Sequence, residues 1–324
     1  MPADRGLIFT LTRRDKERRR LMRDVDGMKR RIEALKREKN AVVVAHNYQW
    51  PEVQDVADFV GDSLELARKT IAVPQRTIIF CGVHFMAESA AILNPDKTVY
   101  LAELTAGCPM ANMVTVDDLR VWKEKYPDAA VVCYVNSSAA VKAESDVCCT
   151  SANAVKVVES LRAPRVLFVP DRNLGHYISR KTNKEMILYP GFCVTHQRLK
   201  PEHVVAAKKM HPEALVVVHP ECRPEVIDMA DQVLSTSGML RFVTSSPAKK
   251  FLIGTEEGLI YRMRQDNPDK EFYTITSALM CPNMKKTTLE SVVTSLEMDR
   301  YHVTVAADIA AKAKRALDRM LEVA

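Results

Sequence analysis

The stretch Tyr100-Leu-Ala-Glu-Leu-Thr-Ala-Gly-Cys-Pro-Met110 is an apolar run that ends in a Gly-Cys-Pro turn around Cys108. Two further cysteines end similar runs: Cys193 closes residues 186–193, and Cys281 closes residues 272–281. Cys193 lies 85 residues after Cys108, and Cys281 lies 88 residues after Cys193. This near-equal spacing predicts three similar units, each of which carries one cysteine at the end of a strand.

Three such cysteines could offer their thiolates to one shared centre. Three thiolates without an evident fourth protein ligand are typical of an iron–sulfur cluster that keeps one iron open. Cysteine is also a common inert core residue, so three separately buried thiols are the alternative at this point. Cys222 is a rival ligand because it follows His219-Pro-Glu, but it breaks the regular spacing.

Short apolar runs alternate with helical segments from residue 41 onward. Within the runs the apolar residues are continuous, which is typical of buried parallel strands flanked by helices. Three cycles of about 85 residues each favour three small α/β domains over one long doubly wound sheet. We expect the first domain at 41–115, the second at 116–200 and the third at 201–287.

Helices are expected between these runs and at both ends of the chain. A helical C-terminal stretch, 288–324, is predicted to complete the first domain. Further helices are expected over 53–68, over 151–161 and near 246–252. The basic segment 1–40 carries an amphipathic helix from residue 13, with apolar residues at steps of three and four. Its apolar stripe is Leu21, Met22, Val25, Met28, Ile32 and Leu35.

The charge of the chain is concentrated at its start. The formal net charge is +6, and residues 1–40 hold 14 basic and 7 acidic residues. The rest of the chain is nearly neutral, so we infer no nucleic-acid footprint on the body of the protein. The helix is expected to lie on the body, with a partner-binding or RNA-binding arm as the alternative.

The chain has no apolar run long enough to span a membrane and no apolar core of a signal peptide near its start. Its eight cysteines are scattered and form no compact secreted framework. We therefore expect a cytoplasmic protein with reduced thiols and no membrane partner. Cys81 and Cys133 lie inside apolar runs and are expected in the core, whereas His196 is expected beside the Cys193 turn.

Polar residues follow the strands that open the three cycles. The clusters begin at His46, Tyr134 and His219, each at the end of an apolar run. In open α/β sheets, ligands collect beyond the carboxyl ends of the strands. We therefore expect these clusters to meet the three cysteines on one face.

Ordered motifs over residues 41–290 resemble those of the quinolinate synthase family. They are His46-Asn-Tyr-Gln, Asp55-Val-Ala-Asp-Phe-Val-Gly-Asp-Ser, Gly82-Val-His-Phe-Met-Ala-Glu, Ala106-Gly-Cys-Pro-Met-Ala, Tyr134-Val-Asn-Ser-Ser-Ala, Cys149-Thr-Ser-Ala-Asn-Ala, Pro170-Asp-Arg-Asn-Leu-Gly, His219-Pro-Glu-Cys, Ser235-Thr-Ser-Gly-Met, Gly254-Thr-Glu and Cys281-Pro-Asn-Met-Lys. The resemblance does not extend to the basic N-terminal helix.

The resemblance implies a pseudo-threefold arrangement of three α/β domains around a central cavity. It also implies the condensation of iminoaspartate (iminosuccinate) with dihydroxyacetone phosphate to quinolinate in NAD biosynthesis. An L-aspartate oxidase or dehydrogenase would supply the iminoaspartate. The implied cofactor is a [4Fe-4S] cluster held by Cys108, Cys193 and Cys281.

The resemblance further implies an active-site His219-Pro-Glu221. We expect Glu221 to be the general base, with His219 and Tyr48 assisting as proton relays. The residues implied to line the substrate pocket are His46, Ser63, Tyr134, Asn136, Ser151, His219, Glu221 and Thr236. Hydroxyls near helix starts suit carboxylate or phosphate groups, although each of them alone could be a helix cap.

Two other functions are compatible with a three-cysteine centre. An iron–sulfur hydro-lyase acting on another small dicarboxylate would keep the open iron but need no phosphorylated second substrate. A redox sensor or scaffold would use the cluster with the basic helix as a binding arm. That last interpretation gives no reason for His219, Glu221, Tyr134 and Asn136 to recur at strand ends.

Overall fold

A computed structural model describes the backbone of residues 13–323 and the side chains of residues 24–323. These residues form three parallel four-stranded sheets flanked by helices. In chain order the strands are β1 (Ala41–His46), β2 (Phe59–Gly61), β3 (Thr77–Cys81), β4 (Thr98–Leu101), β5 (Ala130–Tyr134), β6 (Val147–Cys149), β7 (Arg165–Val169), β8 (Glu185–Leu188), β9 (Leu215–Val218), β10 (Gln232–Val233), β11 (Lys250–Gly254) and β12 (Glu271–Thr274). The predicted α/β class is confirmed.

The helices alternate with the strands. They are α1 (Arg13–Glu38), α2 (Pro51–Val56), α3 (Ser63–Ala72), α4 (His84–Leu93), α5 (Val116–Lys125), α6 (Ala139–Ala143), α7 (Ala154–Ser160), α8 (Arg172–Ser179), α9 (Pro201–Met210), α10 (Pro224–Ile227), α11 (Thr236–Ser245), α12 (Gly258–Asp266), α13 (Leu289–Met298) and α14 (Ala307–Glu322). Single 3₁₀ turns follow the three spaced cysteines, at Met110–Asn112, His196–Arg198 and Met284–Lys286. No helix among the described residues is both long and apolar enough to cross a membrane.

The three sheets share one topology. Their strand orders are β2-β1-β3-β4, β6-β5-β7-β8 and β10-β9-β11-β12. We call the sheets, with the helices between their strands, the first, second and third units. The predicted domain boundaries inside this arrangement stay a prediction.

Two side-chain devices recur in the three units. In each unit an aspartate immediately before the second strand accepts the N–H of a residue in the opening strand. The pairs are Asp58 with Val43, Asp146 with Val131 and Asp231 with Val216. A lysine donates to backbone carbonyls at the end of the helix that precedes the third strand of each unit, namely α3, α7 and α11. These lysines are Lys97, Lys184 and Lys270. Both contacts give a hydrogen-bond partner to backbone N–H or C=O groups that would otherwise have none at strand starts and helix ends.

Two predicted helices are wrong. The expected helix over 53–68 is divided into α2 and α3 by β2, because residues 59–61 pair with β1 and Asp62 caps α3. The second expected helix, near 246–252, is also absent. Residues 246–249 form the connection between α11, which covers 236–245, and β11, which begins at residue 250. Apolar residues in short runs fit either period, so neither boundary could be read from the pattern.

The helix α1 lies on the first unit, as expected for the part whose side chains are described. Ile32 and Leu35 are buried against α13 residues such as Val292 and Leu296, and Val25 and Met28 pack beside them. Lys36 also pairs with Asp58 at 2.8 Å. Leu21 and Met22 lie outside the described side chains.

The C-terminal stretch forms two helices rather than one. The first, α13, packs on α1 and β3 of the first unit. The second, α14, contacts α6 and β6 of the second unit as well as α4 of the first. Its buried face consists of Ala313, Ala316, Leu317 and Met320. The C-terminal stretch therefore joins two units.

Candidate functional site

A cavity lies where the carboxyl ends of the three sheets converge. It encloses about 800 Å³ that protein atoms do not fill, part of which is open to solvent. The residues predicted for metal binding, substrate binding or catalysis all line it. They are His46, Tyr48, Ser63, Cys108, Tyr134, Asn136, Ser151, Cys193, His219, Glu221, Thr236 and Cys281.

Each unit contributes four of these residues from matching positions. The first is the residue at the end of the opening strand, at positions 46, 134 and 219. The second lies two residues later, and the third is a hydroxyl 17 residues after the first. The fourth is the cysteine before the 3₁₀ turn. Parallel strands present their carboxyl ends at one edge, so the shared topology itself assembles the site.

The strand-end side chains are buried beneath the cavity. His46, Tyr134 and His219 are no more than 6% exposed. The residues two positions later, Tyr48 and Glu221, are similarly buried. Burial lowers the pKa of both His46 and His219 to about 3. Both imidazoles are therefore neutral at neutral pH and can either donate or accept a hydrogen bond.

The hydroxyls at the helix starts are not the helix caps. Asp62 caps α3 through the N–H groups of residues 64 and 65, which leaves the Ser63 hydroxyl out of this role. Ser235 likewise caps α11, and the Thr236 hydroxyl instead accepts a hydrogen bond from Asn47 at 3.0 Å. The alternative interpretation of Ser63 and Thr236 as caps is therefore wrong.

Glu221 lies at the centre of a buried polar cluster. Its Oε2 is 2.7 Å from His196 Nδ1 and 3.6 Å from His219 Nδ1, and the two imidazoles stack with centroids 4.7 Å apart. Burial opposes ionisation of Glu221, but the neighbouring histidines outweigh it and hold its pKa at about 2. Within the described part of the chain, Glu221 Oε1 has no hydrogen-bond partner. A buried carboxylate with one open oxygen is therefore present in the cavity.

A chain of hydrogen bonds links Tyr48 to the Cys193 turn. The Tyr48 hydroxyl is 2.5 Å from Thr255 Oγ1, which is 2.9 Å from His196 Nε2. His196 Nδ1 in turn is 3.2 Å from Cys193 Sγ. His219 makes a separate contact, with its Nε2 3.2 Å from Ser151 Oγ. His196 thus lies beside the Cys193 turn, as expected, and also touches the carboxylate.

The eight cysteines fall into two groups. Three are partly exposed and line the cavity, namely Cys108, Cys193 and Cys281. The other five are buried. They are Cys81, Cys133, Cys148, Cys149 and Cys222. The rival Cys222 donates its thiol to the Gly254 carbonyl at 3.4 Å, on the side of β11.

The cavity offers donor atoms suited to a metal. Cys193, His196 and Glu221 each offer one ligand atom, and these atoms all lie within 4.8 Å of one another. Cys108 and Cys281 add two more thiols to the same cavity. Burial raises the pKa of the Cys108 thiol to about 12, so a nearby cation is needed to hold it as a thiolate. Soft thiol donors favour iron–sulfur clusters, zinc or copper.

Buried carboxylates that sequence reasoning missed hold two of the cysteine turns. Asp171 Oδ2 accepts the N–H of Cys193 at 3.2 Å, and Glu256 Oε1 accepts the N–H of Cys281 at 3.1 Å. Both carboxylates are fully buried. They occur in the motifs Pro170-Asp-Arg-Asn and Gly254-Thr-Glu, and the available signal was that each carboxylate lies two residues after the end of a strand, β7 or β11.

The fold and cavity define an α/β protein with one polar, thiol-lined site between three similar units. The family model described as "NadA: Quinolinate synthetase A protein" matches residues 30–322. The chain therefore belongs to the quinolinate synthetase A family.

Curated relatives agree with this family. A quinolinate synthase from Caldicellulosiruptor saccharolyticus is 53% identical over 300 residues, which cover 92% of this chain and 99% of the relative. One from Thermodesulfovibrio yellowstonii is 55% identical over 291 residues, with 90% and 96% covered. One from Methanoregula boonei is 55% identical over 300 residues, with 93% and 99% covered.

Proposed function

We propose that this chain is a quinolinate synthase of NAD biosynthesis. It condenses iminoaspartate with dihydroxyacetone phosphate and releases quinolinate, one phosphate and two waters. The family match supports the activity, and the convergence of four matching residues from each unit on one cavity supports the site. That convergence is the observation that carries the assignment, because it brings acid–base groups, hydroxyls and thiols into one space.

The cofactor we propose is a [4Fe-4S] cluster held by Cys108, Cys193 and Cys281. These residues fit such a group, because they are the partly exposed cysteines of the described chain and they share one cavity. When bound, the cluster supplies a Lewis-acidic iron with an open position, which can bind substrate oxygen and stabilise charge as a hydroxyl leaves.

Glu221 is proposed as the general base for the triose carbons. Its Oε2 is fixed by His196 at 2.7 Å, and its Oε1 is free to accept a proton. A lowered pKa keeps the group ionised before each proton transfer. A substrate C–H presented to Oε1 within hydrogen-bond reach would therefore meet a fixed, charged acceptor.

Tyr48 and His219 are proposed to carry protons onward. The Tyr48 hydroxyl reaches His196 through Thr255, so a proton at either end has a hydrogen-bonded path to the other. His219 is neutral and bonded to Ser151, and a neutral imidazole can release one proton while it accepts another.

The remaining residues are proposed to bind the substrates. Both substrates carry two negative charges, in carboxylates or in a phosphate. The hydroxyls of Ser63, Ser151 and Thr236 lie near the starts of α3, α7 and α11, where free N–H groups also favour anions. His46, Tyr134 and Asn136 add neutral donors and acceptors between them.

A requirement for both substrates tests the function. Anaerobically prepared protein should form quinolinate and phosphate in equal amounts only when iminoaspartate and dihydroxyacetone phosphate are both present. Phosphate-independent dehydration of a single dicarboxylate would instead identify an iron–sulfur hydro-lyase and refute the synthase.

Two wider assignments accompany this function. Iminoaspartate is proposed to come from an L-aspartate oxidase or dehydrogenase, since an unstable imine has to be made close to its use. A reducing cytoplasm is proposed as the compartment, supported by eight cysteines that are all free thiols.

A further inference from the structure

We propose that the buried ion pair of Glu256 and Lys285 is a positioning device. It fixes the Cys281 turn of the third unit against the loop of the first unit that carries Tyr48. The inference rests on the proposed function, in which Cys281 is a cluster ligand and Tyr48 a proton relay. It assigns a role to two residues that are neither proposed cluster ligands nor proposed acid–base groups.

Glu256 holds the Cys281 turn with one carboxylate oxygen and the start of α12 with the other. Its Oε1 accepts the N–H of Cys281 at 3.1 Å, and its Oε2 accepts the N–H of Gly258, which begins α12, at 2.7 Å. Lys285 Nζ lies 3.1 Å from Oε1 and 3.2 Å from Oε2. The Cys281 backbone is therefore tied to a carboxylate that has hydrogen-bond partners at both oxygens.

Lys285 extends this contact to the first unit. Its Nζ donates to the backbone carbonyl of Tyr48 at 2.7 Å and lies 4.9 Å from the centre of the Trp50 ring. The Trp50 indole N–H donates back to the Lys285 carbonyl at 2.8 Å. The loop of residues 46–50 is thus held from both directions by a residue that follows Cys281 by four positions.

The Tyr48 loop and Lys285 approach Gly258 so closely that no side chain fits at this position. A Cβ at Gly258 would lie 2.7 Å from Lys285 Nζ, 2.8 Å from the Tyr48 carbonyl oxygen and 2.9 Å from that of Gln49. Two of these atoms belong to the backbone, which cannot move aside as a flexible side chain could. The junction therefore depends on tight geometry as well as on charge.

The energetics favour a positioning role over a stabilising one. Both side chains are nearly out of contact with solvent, at 0% exposure for Glu256 and 5% for Lys285. Desolvating two charges costs about as much as their attraction returns, so apolar residues of similar size would often be equally stable. The ion pair makes directed hydrogen bonds to three backbone atoms, those of Cys281 and Gly258 in the third unit and that of Tyr48 in the first, which apolar residues could not make.

The second unit offers an internal comparison. Asp171 accepts the N–H of Cys193, and its other oxygen accepts the N–H groups of Asn173 and Leu174 within the same unit. Loss of the third unit's ion pair should therefore loosen Cys281 and leave Cys193 in place.

Alkylation of individual thiols tests this directly. In the full-length chain, after a chelator has removed iron, the alkylation rates of Cys193 and Cys281 would be followed by mass spectrometry. Glu256→Gln should raise the rate at Cys281 at least about fivefold, because local opening exposes the thiol, and leave the rate at Cys193 unchanged. Lys249→Met removes an exposed ion pair with Asp269 in the same unit and serves as the control. Equal rates in Glu256→Gln and the parent chain would overturn the proposal.

A double variant separates positioning from stability. Glu256→Gln with Lys285→Met removes both buried charges, so its melting temperature should return to within about 3 °C of the parent value. Its kcat should nevertheless stay about 10- to 100-fold low, with KM changed less than about twofold, because Tyr48 and Cys281 are no longer held. A double variant with normal kcat and a protected Cys281 would mean that the pair is only structural.

Different results would refute the proposed enzymatic function and the proposed role of the ion pair. A parent protein that makes no quinolinate would refute the proposed function. The alkylation result would still decide whether the ion pair holds the Cys281 turn.

Discussion

Cys193 and Cys148 belong to the same unit but lie in different surroundings. Cys148 lies inside β6, fully buried and paired with Cys133 across to β5. Cys193 lies in a turn beyond β8, partly exposed to the cavity and 3.2 Å from His196. The same residue type is therefore core in a strand and a candidate ligand in a turn beyond a strand. Only a turn beyond the carboxyl edge makes the difference, because Cys81 and Cys149 end β3 and β6 at that edge and are buried in the core.

The two regions also differ in how their polar groups are satisfied. Strand interiors are apolar and closely packed, and their backbone groups pair within the sheet. The cavity edge holds buried polar atoms without a protein partner in the described residues, among them Glu221 Oε1 and Asn136 Oδ1. Such groups cost stability, so the presence of these two atoms in the cavity lining indicates binding or catalysis.

The largest contrast is expected between the two kinds of cysteine. Cys193→Ala should abolish the cluster absorbance at about 400 nm and with it turnover, because a thiolate ligand is lost. Cys148→Ala, the matched control, should retain both. Anaerobic absorbance and a quinolinate assay check this, and a full cluster in the Cys193 variant would remove that residue from the ligand set.

A smaller loss of activity is expected when the cavity loses a proton acceptor but the replacement side chain has the same shape. Glu221→Gln should lower kcat by about 10²- to 10⁴-fold with the cluster intact, since the amide cannot accept the proton. The control is Glu225→Gln, an exposed glutamate on α10. Steady-state kinetics with iron analysis checks this, and near-normal kcat in the Glu221 variant would refute its role as base.

Substitutions inside the strands should lower the free energy of unfolding and leave kcat unchanged. Leu252 is fully buried in β11, so Leu252→Ala should cost about 2–5 kcal/mol through lost packing and a cavity. Val205→Ala, on the exposed face of α9, should cost far less. Denaturant unfolding measures both costs, and kcat well below the melting temperature should be unchanged in each. A large loss of kcat in the Leu252 variant would contradict the division between edge and interior.

The smallest effect is a pH dependence of stability at the edge. Burial lowers the pKa of His46 from 6.5 to about 3, so between these values the unfolded chain binds a proton that the folded chain does not. Stability therefore falls as pH drops through this window, by about 1.4 kcal/mol per pH unit for this group. His46→Gln should lessen the fall in melting temperature between pH 6.5 and 5, although His219 still contributes to it, and the exposed control His302→Gln should leave the fall unchanged. Equal slopes in both variants would contradict the buried, neutral state of His46.

The strand–helix alternation was predictable because buried parallel strands are continuous apolar runs. The cavity residues were also predictable, because they lie in strand-end motifs that resemble those of a known family. The break at β2 and the position of α11 were not, because three-residue strands and short apolar runs fit either period. The Glu256–Lys285 pair could not be read either, since its partners lie 29 residues apart and act on a third segment around Tyr48.

The central claim is that one cysteine from each unit holds a single cluster at the shared cavity. The most direct measurement is iron and sulfide analysis of the anaerobic protein, made together with an end-point assay for quinolinate. The account predicts about four irons and four sulfides per chain in protein that makes quinolinate. Quinolinate formation by protein with a single iron and no sulfide, bound through Cys193, His196 and Glu221, would contradict it.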